Sequence, residues 1–244
     1  MNNFKLNTNQ LKYIAIAAML IDHLAWTFLV TATPTAMIMH FIGRTTAPIM
    51  CFFIAQGYDL TSNKTNYAIR LAAFSLISQI PWMIYHDYGW YSFSWNMIFT
   101  LFVCFCAVHV ESTMKNKFFK AVIITLLCLV TIYSDWMIFA VLYSVFFYRH
   151  RNNKRMRLFS FSCISAAYFM LTFTQTNLSY DNLSTSLILS IYTLGTFIAY
   201  FLISHYDKSL PFTRKSKWIF YIFYPAHILI LGIAENLINR GVFF

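Results

Sequence analysis

Long apolar runs recur along the whole chain, and they constrain the fold more than any other feature. A helix needs about 20 apolar residues to cross the hydrocarbon core of a bilayer. Of the 244 residues, 59% are hydrophobic and 11% are charged, whereas soluble domains carry about 25% charged residues. The sequence therefore predicts an all-α, polytopic integral membrane helix bundle that forms a single domain, 1–244. About nine transmembrane helices are expected, at 12–32, 36–57, 67–86, 95–112, 118–134, 136–148, 158–174, 184–204 and 218–238.

Two neighbouring segments fit this pattern less well than the others. Segment 136–148 is short for a full crossing, and only Asp135 separates it from segment 118–134, which ends at Ser134. Whether both of these segments cross the membrane stays open from the sequence.

The basic residues predict the orientation of the chain. If the N-terminus is cytoplasmic, 16 of the 18 Lys and Arg lie on the cytoplasmic side, and the exceptions are Arg44 and Arg240. Such an asymmetry is the positive-inside rule of multi-pass membrane proteins. We therefore attribute the net charge of +10 to topology. We expect a multi-pass protein of the inner (cytoplasmic) membrane, with the lipid bilayer and not nucleic acid as its partner.

A few ionisable or strongly polar residues interrupt the apolar segments. On insertion scales a charged side chain at the centre of a membrane helix costs about 2.5–3.5 kcal/mol. Such residues usually face the bundle interior, pair with one another and mark functional sites. Within or at the ends of the predicted helices they are Asp22, His23, Arg44, Arg70, Asn96 and His227.

Helical geometry separates Asp22 from His23, because adjacent residues of a helix point about 100° apart. Asp22 shares its face with alanines that allow another helix to approach closely, at positions 15, 18 and 25. This face suits a buried ion pair, for which Arg44 is the first choice of partner and Arg70 the second. His23 is then expected to line a cavity.

These residue types are suited to acyl transfer. The imidazole of His23 can act as a general base towards an amine or hydroxyl, since its unperturbed pKa lies near neutrality. The oxyanion that develops needs a donor such as Arg44 or Asn96. In the alternative interpretation, the Asp22–Arg44 pair is architectural and His23 donates to a backbone carbonyl.

Several other classes of site are disfavoured. The chain has no Gly-x-Ser-x-Gly, P-loop or GxGxxG element, which argues against hydrolases, NTPases and dinucleotide-binding enzymes. It also has no CxxC pair, so no metal site is predicted. A proton-coupled transporter remains an alternative, in which Asp22 and Arg44 gate and His23 carries protons.

Five sequence blocks, taken in order, resemble the TraX family. These are membrane acetyltransferases named for the enzyme that acetylates the N-terminus of F-type pilin. The resemblance covers nearly the whole chain and extends distantly to other integral-membrane acyltransferases that use acetyl-CoA. The blocks are MLIDH at 19–23, FIGRTTAPIMCFFIAQGYDLTSN at 41–63, NYAIRLAAFSLISQIPW at 66–82, WNMIFTLFV at 95–103 and KWIFYIFYPAHILIL at 217–231.

The resemblance implies acetyl-CoA as co-substrate, without a metal. It implies a peptide N-terminus, as in pilin, or another amine or hydroxyl of a peptide or cell-envelope molecule as acceptor. The implied catalytic residues are Asp22, His23 as the base, Arg44 and Asn96. The CoA phosphates are expected near Lys64, Arg70 or the loop at 149–157. Further substrate-binding positions are Tyr58, Thr61, Asn63 and His227, of which His227 is a second candidate base. A non-catalytic assembly factor for a secreted peptide or pilus remains an alternative.

Overall fold

Helices make up most of the chain in this computed structural model, which describes residues 4–86, 94–180, 182–211 and 217–239. Within these ranges the extended pairing consists of two isolated bridges, Leu6 with Tyr206 and Trp95 with Ser134. The prediction of an all-α protein is confirmed. The helices are α1 (Thr8–Phe28), α2 (Pro34–Gly43), α3 (Thr46–Leu60), α4 (Lys64–His86), α5 (Met97–Thr113), α6 (Lys117–Val130), α7 (Met137–Arg149), α8 (Lys154–Tyr180), α9 (Leu183–Ser190), α10 (Thr196–Ser204) and α11 (Lys217–Asn239), with a 3₁₀ turn at Ile191–Gly195.

Six helical stretches in the described ranges are long and apolar enough to cross a membrane. One of them combines α2 with α3, and another runs from α9 through the 3₁₀ turn to α10. These stretches indicate a multi-pass membrane protein. The six are Thr8–Phe28, Pro34–Leu60, Lys64–His86, Lys154–Tyr180, Leu183–Ser204 and Trp218–Ile238.

The two segments that fitted the pattern least well form short helices. Helix α6 has 14 residues and α7 has 13. At about 1.5 Å per residue each rises only about 20 Å, which is less than the hydrocarbon thickness of about 30 Å. The turn between them places Trp136 and Met137 at positive φ, 64° and 44°, a region that residues other than glycine rarely adopt. Nine full crossings therefore stay a prediction.

Asparagine and threonine side chains fix where several helices begin. Asn7 forms a capping box with Gln10 at the start of α1. Thr33 caps α2, and Pro34 follows it at the first helical position. These side chains satisfy backbone N–H groups that have no partner inside the helix. Such caps are costly to lose in an apolar environment, so they help to set the register of each helix.

The chain divides into two compact units, Met1–Ile49 with Leu158–Phe220, and Met50–Arg157 with Tyr221–Phe244. We call them the first and the second unit. The prediction of a single domain stays a prediction.

Close backbone packing characterises the first unit. Helix α2 packs against α1 and against the 3₁₀ turn. Gly195 allows this, because a Cβ at that position would lie 1.8 Å from the carbonyl oxygen of Phe41. Before α1, Leu6 exchanges backbone hydrogen bonds of 2.9 Å with His205 and Asp207.

Helix α5 is the centre of the second unit and packs against α4, α6 and α7. Most residues of its first three turns are buried, among them Ile98, Leu101 and Val108. Helix α11 also approaches α4 closely, since a Cβ at Gly232 would lie 2.8 Å from the Cα of Tyr85. The core of this unit is therefore built around a helix that is largely buried from Met97 to Val108.

Gly195→Ala should destabilise the protein, because the added methyl group would collide with a backbone carbonyl that cannot rotate away. Overpacking of this kind costs about 1–3 kcal/mol, which thermal unfolding in detergent micelles can measure. Gly57→Ala is the control, since its Cβ would meet the ring of Tyr67 at 3.0 Å and a side chain can move. Equal losses of stability in Gly195→Ala and Gly57→Ala would contradict this prediction.

Candidate functional site

Asp22 lies on the buried face of α1, where Ala15, Ala18 and Ala25 accompany it. Gly43 of α2 lies directly opposite, and a Cβ added there would lie 2.3 Å from the Cβ of Asp22. The small residues therefore leave room for the carboxylate between two apolar helices, as the sequence predicted for this face.

The carboxylate of Asp22 has a partner on each oxygen. Oδ2 accepts a hydrogen bond of 2.5 Å from Nη2 of Arg44, so the predicted ion pair is present. Oδ1 lies 2.8 Å from Nδ1 of His40. Arg70, the second choice of partner, belongs to the second unit. We call Asp22, His40 and Arg44 the charge cluster.

Two tyrosines of the same unit complete the surroundings of Arg44. Its Nη1 donates to the hydroxyl of Tyr168 at 3.0 Å. Its guanidinium carbon lies 5.3 Å from the centroid of the Tyr192 ring, within the range of a cation–π contact. Arg44 is thus held by a carboxylate, a hydroxyl and an aromatic face.

His40 is the member of the cluster that the sequence analysis missed. Its side chain is completely buried, and its ring lies 4.2 Å from that of Trp26 and 5.8 Å from that of Tyr192. Its Nε2 has no hydrogen-bond partner among the residues that the structure describes. The signal in the sequence was its spacing, because residues four apart share one face of a helix and Arg44 follows four residues later.

His23 lies beside the cluster on another face of α1. Its Nδ1 is 2.9 Å from the carbonyl oxygen of Met19, the contact expected in the architectural interpretation. Its side chain is half-buried. Its role as a base stays a prediction.

Asn96 belongs to the second unit and acts there as the N-cap of α5. Its Oδ1 accepts from the backbone N–H groups of Ile98 and Phe99. Its Nδ2 donates at 2.7 Å to the carbonyl oxygen of Ser75 and to Oε1 of Gln79. The amide that was predicted to assist an oxyanion therefore already uses both N–H donors.

The predicted substrate-binding residues around the start of α4 also have local partners. The hydroxyl of Tyr58 accepts from Ser112 at 2.7 Å and lies 2.8 Å from Nδ1 of His109. Nζ of Lys64 lies 4.9 Å above the Tyr58 ring. Asn63 caps α4 by accepting from the backbone N–H of Asn66. The Tyr58–His109 contact joins α3 to α5, and the sequence analysis missed this histidine as well.

The remaining predicted residues contact backbone carbonyl oxygens or an aromatic ring. Thr61 donates to the carbonyl oxygen of Asn63. The guanidinium carbon of Arg70 lies 5.4 Å from the centroid of the Tyr67 ring. His227 is buried, and its Nδ1 lies 2.8 Å from the carbonyl oxygen of Phe223.

Acidic side chains neutralise part of the basic loop at 149–157. Arg149 makes two hydrogen bonds, of 2.7 and 3.0 Å, to the carboxylate of Glu111. Arg151 pairs with Asp59 at 3.1 Å. These two cations are therefore already engaged with carboxylates.

The charge cluster holds the groups that proton and charge transfer require. A carboxylate can orient an imidazole and stabilise its cation, and a guanidinium can stabilise a developing oxyanion. In an environment of low dielectric such interactions are stronger than in water.

Asp22→Asn should destabilise the first unit, since it leaves the Arg44 guanidinium buried without its counter-charge. Removing one partner of a buried pair costs about 3–5 kcal/mol, measured as thermal unfolding in detergent. Asp207→Asn is the matched control, because Asp207 pairs at 2.8 Å with the exposed Lys5. If Asp22→Asn and Asp207→Asn lose the same amount of stability, burial of the cluster does not contribute to the stability of the protein.

The comparisons with known proteins agree with one another. The chain matches the TraX protein family over residues 7–235. It is 27% identical over 241 residues to the probable fimbrial assembly protein FimC, serogroup H1, of Dichelobacter nodosus, and the match covers 96% of this chain and 97% of that relative. No solved structure matches. Because the family match extends over nearly the whole chain, the protein belongs to the TraX family.

Proposed function

We propose that this protein is an integral-membrane acyltransferase. It would move an acetyl group from cytoplasmic acetyl-CoA to an amine, with a peptide N-terminus as the favoured acceptor, or to a hydroxyl. The observation that carries the proposal is the charge cluster of Asp22, His40 and Arg44, buried inside the apolar first unit.

Packing alone does not require such a cluster. Ionisable groups in membrane helices are expensive and usually mark functional sites. A general base within hydrogen-bond reach of a nucleophile accelerates its attack by about 10²–10⁴-fold. The two histidines near Asp22, His23 and His40, are the candidates for this base.

The proposed topology puts the donor on the cytoplasmic side. With nine crossings and a cytoplasmic N-terminus, 16 of the 18 Lys and Arg face the cytoplasm, in accordance with the positive-inside rule. The membrane would then be the inner membrane. CoA carries phosphates, for which Lys and Arg are the usual partners.

Lys64 and Arg70 are the proposed phosphate partners on this side. Both lie on α4, and each lies over a tyrosine ring and makes no ion pair with a carboxylate within the described residues. Arg149 and Arg151 are less suitable, because they already pair with Glu111 and Asp59.

The family and the fimbrial relative point to a pilus-related role. A pilin-like peptide offers a free N-terminal amine, which is a nucleophile once it is neutral. We therefore favour such a peptide as acceptor over a hydroxyl of a cell-envelope molecule.

Purified protein in nanodiscs should release CoA from labelled acetyl-CoA and acetylate a pilin-like peptide that has a free N-terminus. Arg44→Lys keeps the charge but loses the planar donor geometry, so the rate should fall about 10²–10³-fold, as for a lost oxyanion donor. Asp207→Asn should retain the wild-type rate, and a peptide with a blocked N-terminus should not react. Wild-type protein that neither binds nor releases CoA would overturn the proposal.

A non-catalytic assembly factor is the second candidate, and the name of the fimbrial relative favours it. In that case pili would require the protein in cells, and Arg44→Lys would support pilus assembly normally. The pilin would also carry no acetyl group, which mass spectrometry of purified pili would show.

A further inference from the structure

We propose that His40 is the general base of the acyltransferase and that Asp22 is its positioning residue. This inference rests on the proposed function and names the base within that same site. His23, which the sequence favours because it is adjacent to Asp22, is the competing candidate.

The contacts of Asp22 set the tautomer of His40. The Arg44 guanidinium donates to Oδ2 and stabilises the carboxylate as an anion. An ionised carboxylate only accepts hydrogen bonds, so Nδ1 of His40 donates to Oδ1 at 2.8 Å. Nε2 of the neutral ring then carries the lone pair that can accept a proton.

The position of Nε2 supports this role. It is buried and has no hydrogen-bond partner among the described residues, whereas buried polar atoms nearly always have one. A buried acceptor without a partner therefore requires an explanation. A nucleophile that donates its proton to Nε2 supplies the missing partner.

Trp26 is more exposed than Asp22 and Tyr192, the other side chains in contact with the His40 ring. Its ring lies 4.2 Å from the His40 ring, yet 43% of Trp26 is exposed while the His40 side chain is completely buried. A change of the Trp26 rotamer would therefore open a way from the surface to the imidazole. Trp26→Ala should make His40 more accessible to small reagents.

His23 has a weaker partner for base chemistry. Its Nδ1 contacts the neutral carbonyl oxygen of Met19 at 2.9 Å. A carboxylate stabilises an imidazolium better than a carbonyl does, because hydrogen bonds between charged groups are stronger. The Asp22 carboxylate makes its hydrogen bonds to α2 residues, on a face of α1 about 100° away from His23.

The reaction proceeds in two proton transfers. The neutral amine nitrogen attacks the carbonyl carbon of acetyl-CoA and forms the C–N bond while its proton moves to Nε2 of His40. The tetrahedral oxyanion collapses, the C–S bond breaks, and the imidazolium returns the proton to the leaving sulfur. The products are the amide and CoA with a free thiol, and His40 is neutral again.

The pH dependence of kcat/KM gives a readout that a structural role would not change. The charged and titratable groups around the charge cluster are Asp22 and His23 on α1, Arg44 at the end of α2, Tyr168 on α8 and Tyr192 in the 3₁₀ turn. The wild-type rate should rise with pH as the base and the amine of the peptide become neutral. In His40→Gln only the part of this rise that comes from the amine should remain.

The test compares His40→Gln, His23→Gln and His205→Gln in the nanodisc assay, across pH. His205 is the matched control, since its Nδ1 contacts the carbonyl oxygen of Phe201, four residues earlier, as that of His23 contacts Met19. We expect kcat to fall at least 100-fold in His40→Gln, less than tenfold in His23→Gln and not at all in His205→Gln.

A fall of less than tenfold in His40→Gln, or a 100-fold fall in His23→Gln alone, overturns the inference and leaves the proposed function intact. Inactive wild-type protein overturns both. If His40→Gln does not fold, the wild-type protein is treated with diethylpyrocarbonate instead. This reagent modifies the neutral nitrogen of an imidazole. Activity should then decline in proportion to modification of His40, at least threefold faster in Trp26→Ala. Full activity with His40 modified overturns the inference.

Discussion

The charged carboxylate of Asp22 is the constraint on which the first unit depends. A carboxylate among apolar helices must have partners on both oxygens, and here Arg44 and His40 supply them. Both partners come from α2, so α2 must approach α1 closely. Gly43 makes that approach sterically possible. The chemistry of one side chain thus determines residue size on the opposing helix.

Hydrophobic length and helical geometry predicted much of this arrangement. Each predicted segment is helical over most of its length, because a chain in lipid must satisfy its backbone internally. The Asp22–Arg44 pair followed from the alanine face of α1, where a rotation of about 100° per residue separates Asp22 from His23. The ends of helices were less predictable: α6 ends at Val130, four residues before the predicted end of its segment, because turns and caps are set by local hydrogen bonds and not by hydropathy.

The sequence could not predict which side chains contact one another. His40 shares a helical face with Arg44, yet its neighbours MIM and FIG read as ordinary apolar helix. Asn96 shows the converse difficulty, because a polar residue at the start of a helix suggests chemistry as readily as capping. Only the positions of Ser75 and Gln79 show that its amide is fully engaged. Tyr58 likewise required a partner, His109, that lies 51 residues away in sequence.

The contacts of Nδ1 distinguish His40 from three other histidines. In His23, His205 and His227, Nδ1 lies within 2.9 Å of the carbonyl oxygen four residues earlier. A contact of this kind gives Nδ1 a partner within the histidine's own helix. His40 differs, because its Nδ1 reaches a carboxylate on another helix. A ring that is oriented through Nδ1 by a carboxylate of another helix has Nε2 on the side away from that carboxylate, where the proposed base must accept its proton.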